Sequence, residues 1–174
     1  MEDKENAISI DWKMALAKAL ELGVFISVAI IAPFFGNQLI TGSIINAILF
    51  ISATIMGVEY AILLCLIPSL ISMYTGFLSL VLAPMIPFIM TGNVLLVLVY
   101  SSLKEKGFWM GATPAALVKF IFIWLLGMIL ANGILHGVAK NIILMIGWPQ
   151  LATAISGAAI AFIFLKIIKK YNIN

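Results

Sequence analysis

Long apolar stretches without a single charged side chain dominate this sequence. No Asp, Glu, Lys or Arg occurs between Leu22 and Val58, or between Tyr60 and Leu103. Hydrophobic residues make up 64% of the 174 residues and charged residues only 10%, whereas soluble domains average about 45–50% and about 25%. One small soluble core cannot hide so many apolar side chains, so the chain is predicted to be a polytopic, all-α membrane protein.

The apolar stretches predict six transmembrane helices in one domain that covers residues 1–174. Each span needs about 20 residues, so six spans leave room only for short connections. The weaker stretch 133–147 is interrupted by three glycines and is predicted to be an interfacial or re-entrant segment. The predicted spans are Trp12–Phe35, Gly42–Gly57, Val58–Tyr74, Phe77–Leu103, Gly111–Asn132 and Trp148–Ile168.

The lysines predict the orientation of this bundle, because positive residues favour the cytoplasmic side of a membrane. With six spans, Lys119 lies inside a span and Lys140 on one side, and the other eight lysines lie on the opposite side. Both termini are therefore predicted to be cytoplasmic. The lysines cluster at helix ends and form no basic patch, so no nucleic-acid partner is expected.

The residue types that catalysis and cofactor binding require are scarce. The chain has one cysteine, Cys65, and one histidine, His136, so neither a metal site nor an iron–sulfur cluster is expected. No P-loop, HExxH or GxSxG motif occurs, and the acids nearest the spans, Glu21 and Glu59, lie towards the predicted cytoplasmic side. We expect no enzymatic activity and no cofactor, and ATP-driven transport would need another chain.

Two polar residues lie at similar depth inside consecutive predicted spans. Ionisable groups within a bilayer are costly and usually line a site. Lys119 is about 12 Å from the cytoplasmic end of the fifth span and Asn93 about 15 Å from that of the fourth, so the two are predicted to form a hydrogen bond. The alternative is that Lys119 extends to the cytoplasmic headgroups. The functional interpretation is an electropositive base beneath an outward-facing cavity, suited to an anionic substrate.

A second set of polar residues brackets the predicted outer ends of helices one, two, five and six. Each alone is more typical of a helix cap or a headgroup-level residue, and Trp148 of an interfacial anchor. Their convergence predicts a substrate pocket open to the outer face. The set comprises Asn37, Gln38, Asn46, Asn132, His136, Asn141, Trp148 and Gln150.

Small residues repeat every four positions along the first span, at Ala15, Ala19, Gly23 and Ser27. This spacing places them on one helix face, where they permit close approach by another helix. Packing within the chain would explain the pattern, and so would docking onto a partner protein. We predict Ala15, Ala19 and Gly23 as partner-binding residues.

Five segments and the six-span topology carry a resemblance to a known family. The segments are Ala15 to Ala19, Gly42 to Phe50, Pro87 to Val97, Ala116 to Phe120 and Gly147 to Leu151. Over nearly its whole length the chain resembles the substrate-binding S components of energy-coupling factor (ECF) transporters.

That resemblance implies a membrane-embedded, high-affinity binder of a vitamin or similar micronutrient, in the bacterial plasma membrane. It also implies a transmembrane coupling subunit and two ABC-type ATPases as partners, with Ala15 and Ala19 facing the coupling subunit. The substrate would bind near the outer ends of the helices. The chain carries no signature of one particular vitamin.

Other functions remain open from the residues alone. A structural or scaffolding membrane protein would use the polar residues only to join helices. A self-sufficient secondary transporter or channel would need a coupling carboxylate or a continuous polar path, and the predicted outer half contains no acid. A membrane subunit of a redox complex would need cofactor ligands that the chain lacks.

Overall fold

A computed structural model describes residues 2–75, 85–133 and 146–171, with side chains described for residues 12–75, 85–129 and 146–168. These residues form six α-helices and no strand. The helices are α1 Glu2–Ile31, α2 Gln38–Ile55, α3 Val58–Tyr74, α4 Ile86–Leu103, α5 Phe108–Gly133 and α6 Trp148–Tyr171.

The predicted all-α membrane architecture is confirmed. Among the described residues, five helices are long and apolar enough to cross a membrane, and α3 is a shorter apolar helix of 17 residues. Many large apolar side chains point outward from all six helices, as expected where lipid rather than water surrounds a bundle. The cytoplasmic location of both termini stays a prediction.

Helix α2 begins at Gln38, four residues earlier than the predicted Gly42, because Asn37 caps it. The Asn37 Oδ1 atom accepts hydrogen bonds from the backbone N–H groups of Leu39 (2.9 Å) and Ile40 (3.3 Å), which satisfies donors that a helix start leaves unpaired. This earlier start places every later α2 residue deeper in the bundle than the sequence predicted.

The bounds of α3 and the end of α4 agree with prediction. Helix α1 begins at Glu2 and ends at Ile31, while the apolar span Trp12–Phe35 is the predicted one. The turn between α2 and α3 is as short as predicted, and Gly57 adopts the positive φ of 108° that it requires. Helix α5 begins at Phe108 and not at Gly111, directly after a 3-10 turn at Lys104–Lys106. Residues 77–84 of the predicted fourth span and most of the predicted interfacial segment 133–147 lie outside the described residues.

Small residues allow the tightest helix pairing, between α2 and α6. Ala154, Ala158 and Ala161 of α6 are fully buried in the core, and the backbones approach closely at Gly157, where an added Cβ would lie 2.8 Å from the Ser43 carbonyl oxygen. Helix α4 packs mainly on α5, and α1 packs on α3 and α2 at the periphery. Helices α2 and α4 thereby lie at the centre of the bundle.

Candidate functional site

A buried lysine is held between two asparagines at the centre of the bundle. The Lys119 Nζ atom of α5 donates to Asn46 Oδ1 of α2 at 2.6 Å and to Asn93 Oδ1 of α4 at 2.7 Å. All three residues are at most 3% exposed. The predicted Asn93–Lys119 hydrogen bond is thus present, and the alternative in which Lys119 extends to the headgroups is wrong. We call Asn46, Asn93 and Lys119 the polar floor.

The lysine fixes how both amides point. An ammonium group only donates hydrogen bonds, so each asparagine must turn its oxygen towards Lys119 and its NH₂ group away. The Asn46 Nδ2 atom donates to the Gly42 carbonyl at 2.8 Å. The Asn93 Nδ2 atom makes no hydrogen bond within the described part of the chain.

No carboxylate compensates the buried ammonium among the residues whose side chains are described. Its hydrogen bonds there go only to the two amide oxygens, which leaves one of its three N–H donors without a partner. Glu21 and Glu59, the acids nearest the spans, are both exposed. A buried charge without a counter-charge is costly, so the polar floor is electrostatically incomplete among the residues whose side chains are described.

A cavity of about 270 Å³ lies directly above the polar floor. Met85, the residue before α4, and Ile89 and Asn93 within it line the cavity at four-residue spacing, which corresponds to a depth of about 12 Å. The cavity opens towards the end of the bundle that holds the α1–α2 connection and the start of α6, the end predicted to face outward. The described residues that line it are Pro33, Gly36, Asn37, Gln38, Thr41, Gly42, Ile45, Asn46, Pro68, Ser69, Ser72, Met85, Ile89, Asn93, Lys119, Ile146, Gln150 and Thr153.

The cavity has three layers of different chemistry. Asn46, Asn93 and Lys119 form the floor, and apolar side chains that include Ile45 and Ile89 form the wall. Amides and hydroxyls form the mouth, where Gln38, Ser72 and Gln150 belong to the ends of α2, α3 and α6. A pocket with apolar walls and a few convergent polar groups is typical of small-molecule sites.

Two glycines position Asn46 by letting α2 and α6 approach. A Cβ added at Gly157 would lie 2.6 Å from the Asn46 Cβ, and one added at Gly42 would lie 2.8 Å from Cγ2 of Thr153. Both distances are shorter than van der Waals contact allows. Beside them, the hydroxyls of Ser43 and Ser156 share a 2.6 Å hydrogen bond between the two helices.

The bundle is closed below the polar floor by an aromatic cluster of Phe50, Tyr100, Phe108 and Phe162. The rings of Phe50 and Tyr100 meet edge to face with centroids 4.9 Å apart, and Tyr100 and Phe108 do the same at 5.6 Å. The Tyr100 hydroxyl also hydrogen-bonds to that of Thr54 at 2.7 Å. Phe50 and Tyr100 are fully buried, so the cavity does not continue through the described bundle.

Ala15, Ala19 and Gly23 lie exposed on α1. A Cβ added at Gly23 would meet no atom within 4 Å. The side of α1 that packs against the core is formed instead by Ala29 together with the partly buried Phe25 and Ile26. The small-residue face therefore does not pack against the part of the chain that the structure describes.

The predicted site residues divide into three groups. Asn37, Gln38, Asn46, Asn93, Lys119 and Gln150 line the cavity. Trp148 is 66% exposed at the first residue of α6 and is not among the residues that line it. The predicted residues Asn132, His136 and Asn141 lie outside the described side chains.

The structure corrects the place of Asn46 and adds residues that the sequence analysis missed. Asn46 was predicted at the outer end of α2, yet it lies at the floor, because α2 begins at Gln38 and Asn46 follows eight residues, or about 12 Å, later. Ser69, Ser72 and Thr153 also line the cavity. Their only sequence signal was a small hydroxyl within an apolar stretch, which is common in membrane helices.

Comparisons with family models, with curated proteins and with solved structures found no match for this chain.

Proposed function

We propose that this protein is the substrate-binding S component of an ECF-type importer in a bacterial plasma membrane. It would bind a vitamin or similar micronutrient and deliver it together with a coupling subunit and two ATPases. One observation carries the proposal: a cavity of about 270 Å³ at one end of the bundle ends on a buried lysine that no described carboxylate compensates. A site that is costly to bury and open at one end is expected where a ligand completes it.

The closed lower half of the bundle supports a dependence on partners. The aromatic cluster separates the cavity from the other end, so a bound ligand can leave there only after rearrangement. This chain has no ATP-binding motif, and no described carboxylate lines the cavity to couple proton or sodium entry. Energy for release is therefore expected to come from another chain.

The exposed small-residue face of α1 offers a surface for the coupling subunit. Backbones of membrane helices approach most closely where small residues lie at four-residue spacing, and Ala15, Ala19 and Gly23 are all exposed in the described bundle. A pure scaffolding role would not require a cavity with a charged floor.

The test is a double substitution, Ala15→Leu with Ala19→Leu, compared with Ala17→Leu. Ala17 is equally exposed on the same helix, but it lies about 160° around the axis from Ala15 and Ala19. After affinity purification from native membranes in mild detergent, the wild type and Ala17→Leu should retain an ABC-type ATPase. The double variant should lose that ATPase while keeping its folded yield and its bound ligand.

Two results would contradict the proposal. One is that no ATPase accompanies the wild-type chain from membranes of cells that produce it. The other is that the double variant and Ala17→Leu retain the same partners in the same amounts.

A further inference from the structure

The unused hydrogen-bonding capacity of the polar floor is dominated by donors. The Oδ1 atoms of Asn46 and Asn93 each accept a hydrogen bond from Lys119, and one N–H of Asn46 Nδ2 donates to the Gly42 carbonyl. Within the described residues, the third N–H of Lys119, the second N–H of Asn46 and the NH₂ group of Asn93 make no hydrogen bond, whereas each amide oxygen keeps only one lone pair, beside an ammonium. The floor therefore favours a ligand group that accepts hydrogen bonds.

The charge of the floor selects among acceptors. Since no described carboxylate pairs with Lys119, an anionic group would supply the missing counter-charge and could accept hydrogen bonds from Lys119 and Asn93 at once. Hydrogen bonds between charged partners are roughly twice as strong as neutral ones, and they are stronger still away from water. A planar group with two oxygens, such as a carboxylate, can accept from two donors simultaneously.

The apolar wall and the volume of the cavity limit the polarity and the size of the rest of the ligand. Above the floor the lining is mainly apolar, with Ile45, Ile89 and Ile146 among its members, and the hydroxyls of Ser69 and Thr153 are its buried polar groups. A volume of about 270 Å³ is just under the range of about 300–1,000 Å³ typical of small-molecule pockets. A second charged group midway along the ligand would find no described side chain of opposite charge there.

We propose that the ligand is a small, water-soluble organic acid with one anionic end and an apolar body. It binds with the anionic end against the polar floor. The carboxylate, or an equivalent anion, accepts hydrogen bonds from Lys119 Nζ and Asn93 Nδ2. The body lies against the isoleucines, and any polar substituent lies at the mouth. The inference rests on the proposed function only in treating the cavity as a ligand site.

The test uses matched pairs of compounds that differ only in charge: benzoate and benzamide, nicotinate and nicotinamide, hexanoate and hexanamide. Binding to the purified full chain in mild detergent is measured by ligand-observed NMR and by the thermal unfolding midpoint. Acids should bind at least about tenfold more tightly than their amides, which corresponds to one charge-assisted hydrogen bond.

Two variants test whether the polar floor causes the preference for acids over amides. Lys119→Met removes the charge, and Asn93→Asp retains an oxygen acceptor for Lys119 while neutralising its charge within the chain. Each should reduce acid binding at least about tenfold and amide binding by a smaller factor, because the amide loses a hydrogen bond but no charge pairing. Asn93→Asp keeps the test valid if Lys119→Met fails to fold, because it replaces an amide by a carboxylate of the same shape beside an ammonium.

The inference is overturned if amides bind as tightly as acids, if no acid in the panel binds, or if acids bind the folded Asn93→Asp variant as tightly as the wild type. These results are separable from failure of the proposed function. A chain that selects acids but never associates with an ATPase would keep this inference and contradict the importer.

Discussion

Gly157 is the position where one added methyl group should do the most damage. Its Cβ would lie 2.6 Å from the Asn46 Cβ, 2.8 Å from the Ser43 carbonyl oxygen and 2.9 Å from the Ala47 backbone nitrogen. Two of these three atoms belong to the α2 backbone, so no side-chain rotation can relieve the clash. Restoring ordinary contact requires α2 and α6 to separate by about 1 Å, and overpacking of this kind costs about 1–3 kcal/mol.

The separation also acts on the polar floor. Asn46 Oδ1 lies 2.6 Å from Lys119 Nζ, and a shift of about 1 Å would stretch this hydrogen bond beyond useful length. Gly157→Ala should therefore lower the thermal unfolding midpoint by about 2–12 °C for a chain of this length. It should also weaken binding of any ligand that contacts Lys119.

The matched control is Gly23→Ala, since an added Cβ there meets no atom within 4 Å. Alanine favours helix over glycine by up to about 1 kcal/mol, so this variant should unfold at the wild-type midpoint or slightly above it. Both midpoints are measured by intrinsic tryptophan fluorescence in the same mild detergent. Equal midpoints for the two variants would refute the claim that α2 and α6 are in direct backbone contact at Gly157.

Two further substitutions test local contacts by the same unfolding assay. Asn37→Ala removes the cap of α2 and should cost about 1 kcal/mol, whereas Asn37→Asp should keep the cap; equal losses for both would contradict the capping role. Tyr100→Phe removes the 2.7 Å hydrogen bond to Thr54 but keeps the ring contacts, so it should cost about 0.5–1.5 kcal/mol and leave ligand binding unchanged. A lost ligand in Tyr100→Phe would mean that the aromatic cluster shapes the cavity directly.

The helices and the Lys119–Asn93 hydrogen bond were predictable because both follow from positions along the sequence alone. The length of an apolar run gives a span, and the rise per residue gives the depth of a polar side chain within it. Two polar residues at equal depth on consecutive helices have few partners other than each other. The lengths of the apolar runs also predicted the short turn between α2 and α3.

The partnership of Asn46 with Lys119 was not predictable from the same rules. It depends on α2 starting at Gln38 and on α2 lying at the centre of the bundle, against α6 and close to α4. Helix starts are uncertain by several residues from sequence, and four residues change the depth by about 6 Å. The order in which helices pack depends on small residues such as Gly157, whose partner the sequence does not reveal.

The exposure of the α1 face was likewise beyond sequence reasoning. Ala15 and Ala19 repeat at a spacing that suits packing inside one chain as well as docking between chains. The sequence does not show that α1 lies at the edge of the bundle, and this position is what favours docking between chains over packing inside one chain. It follows from the tighter pairing of the other helices.

The most direct test of the account is native mass spectrometry of the wild-type chain, extracted gently from membranes of cells that produce it. The account predicts one population that contains the chain with coupling and ATPase subunits. It also predicts a released chain that carries a single small organic acid, which is absent from Lys119→Met. A chain that is bare of any small molecule, or one whose bound molecule is neutral or cationic and persists in Lys119→Met, would contradict the central claim that Lys119 is the base of a ligand site.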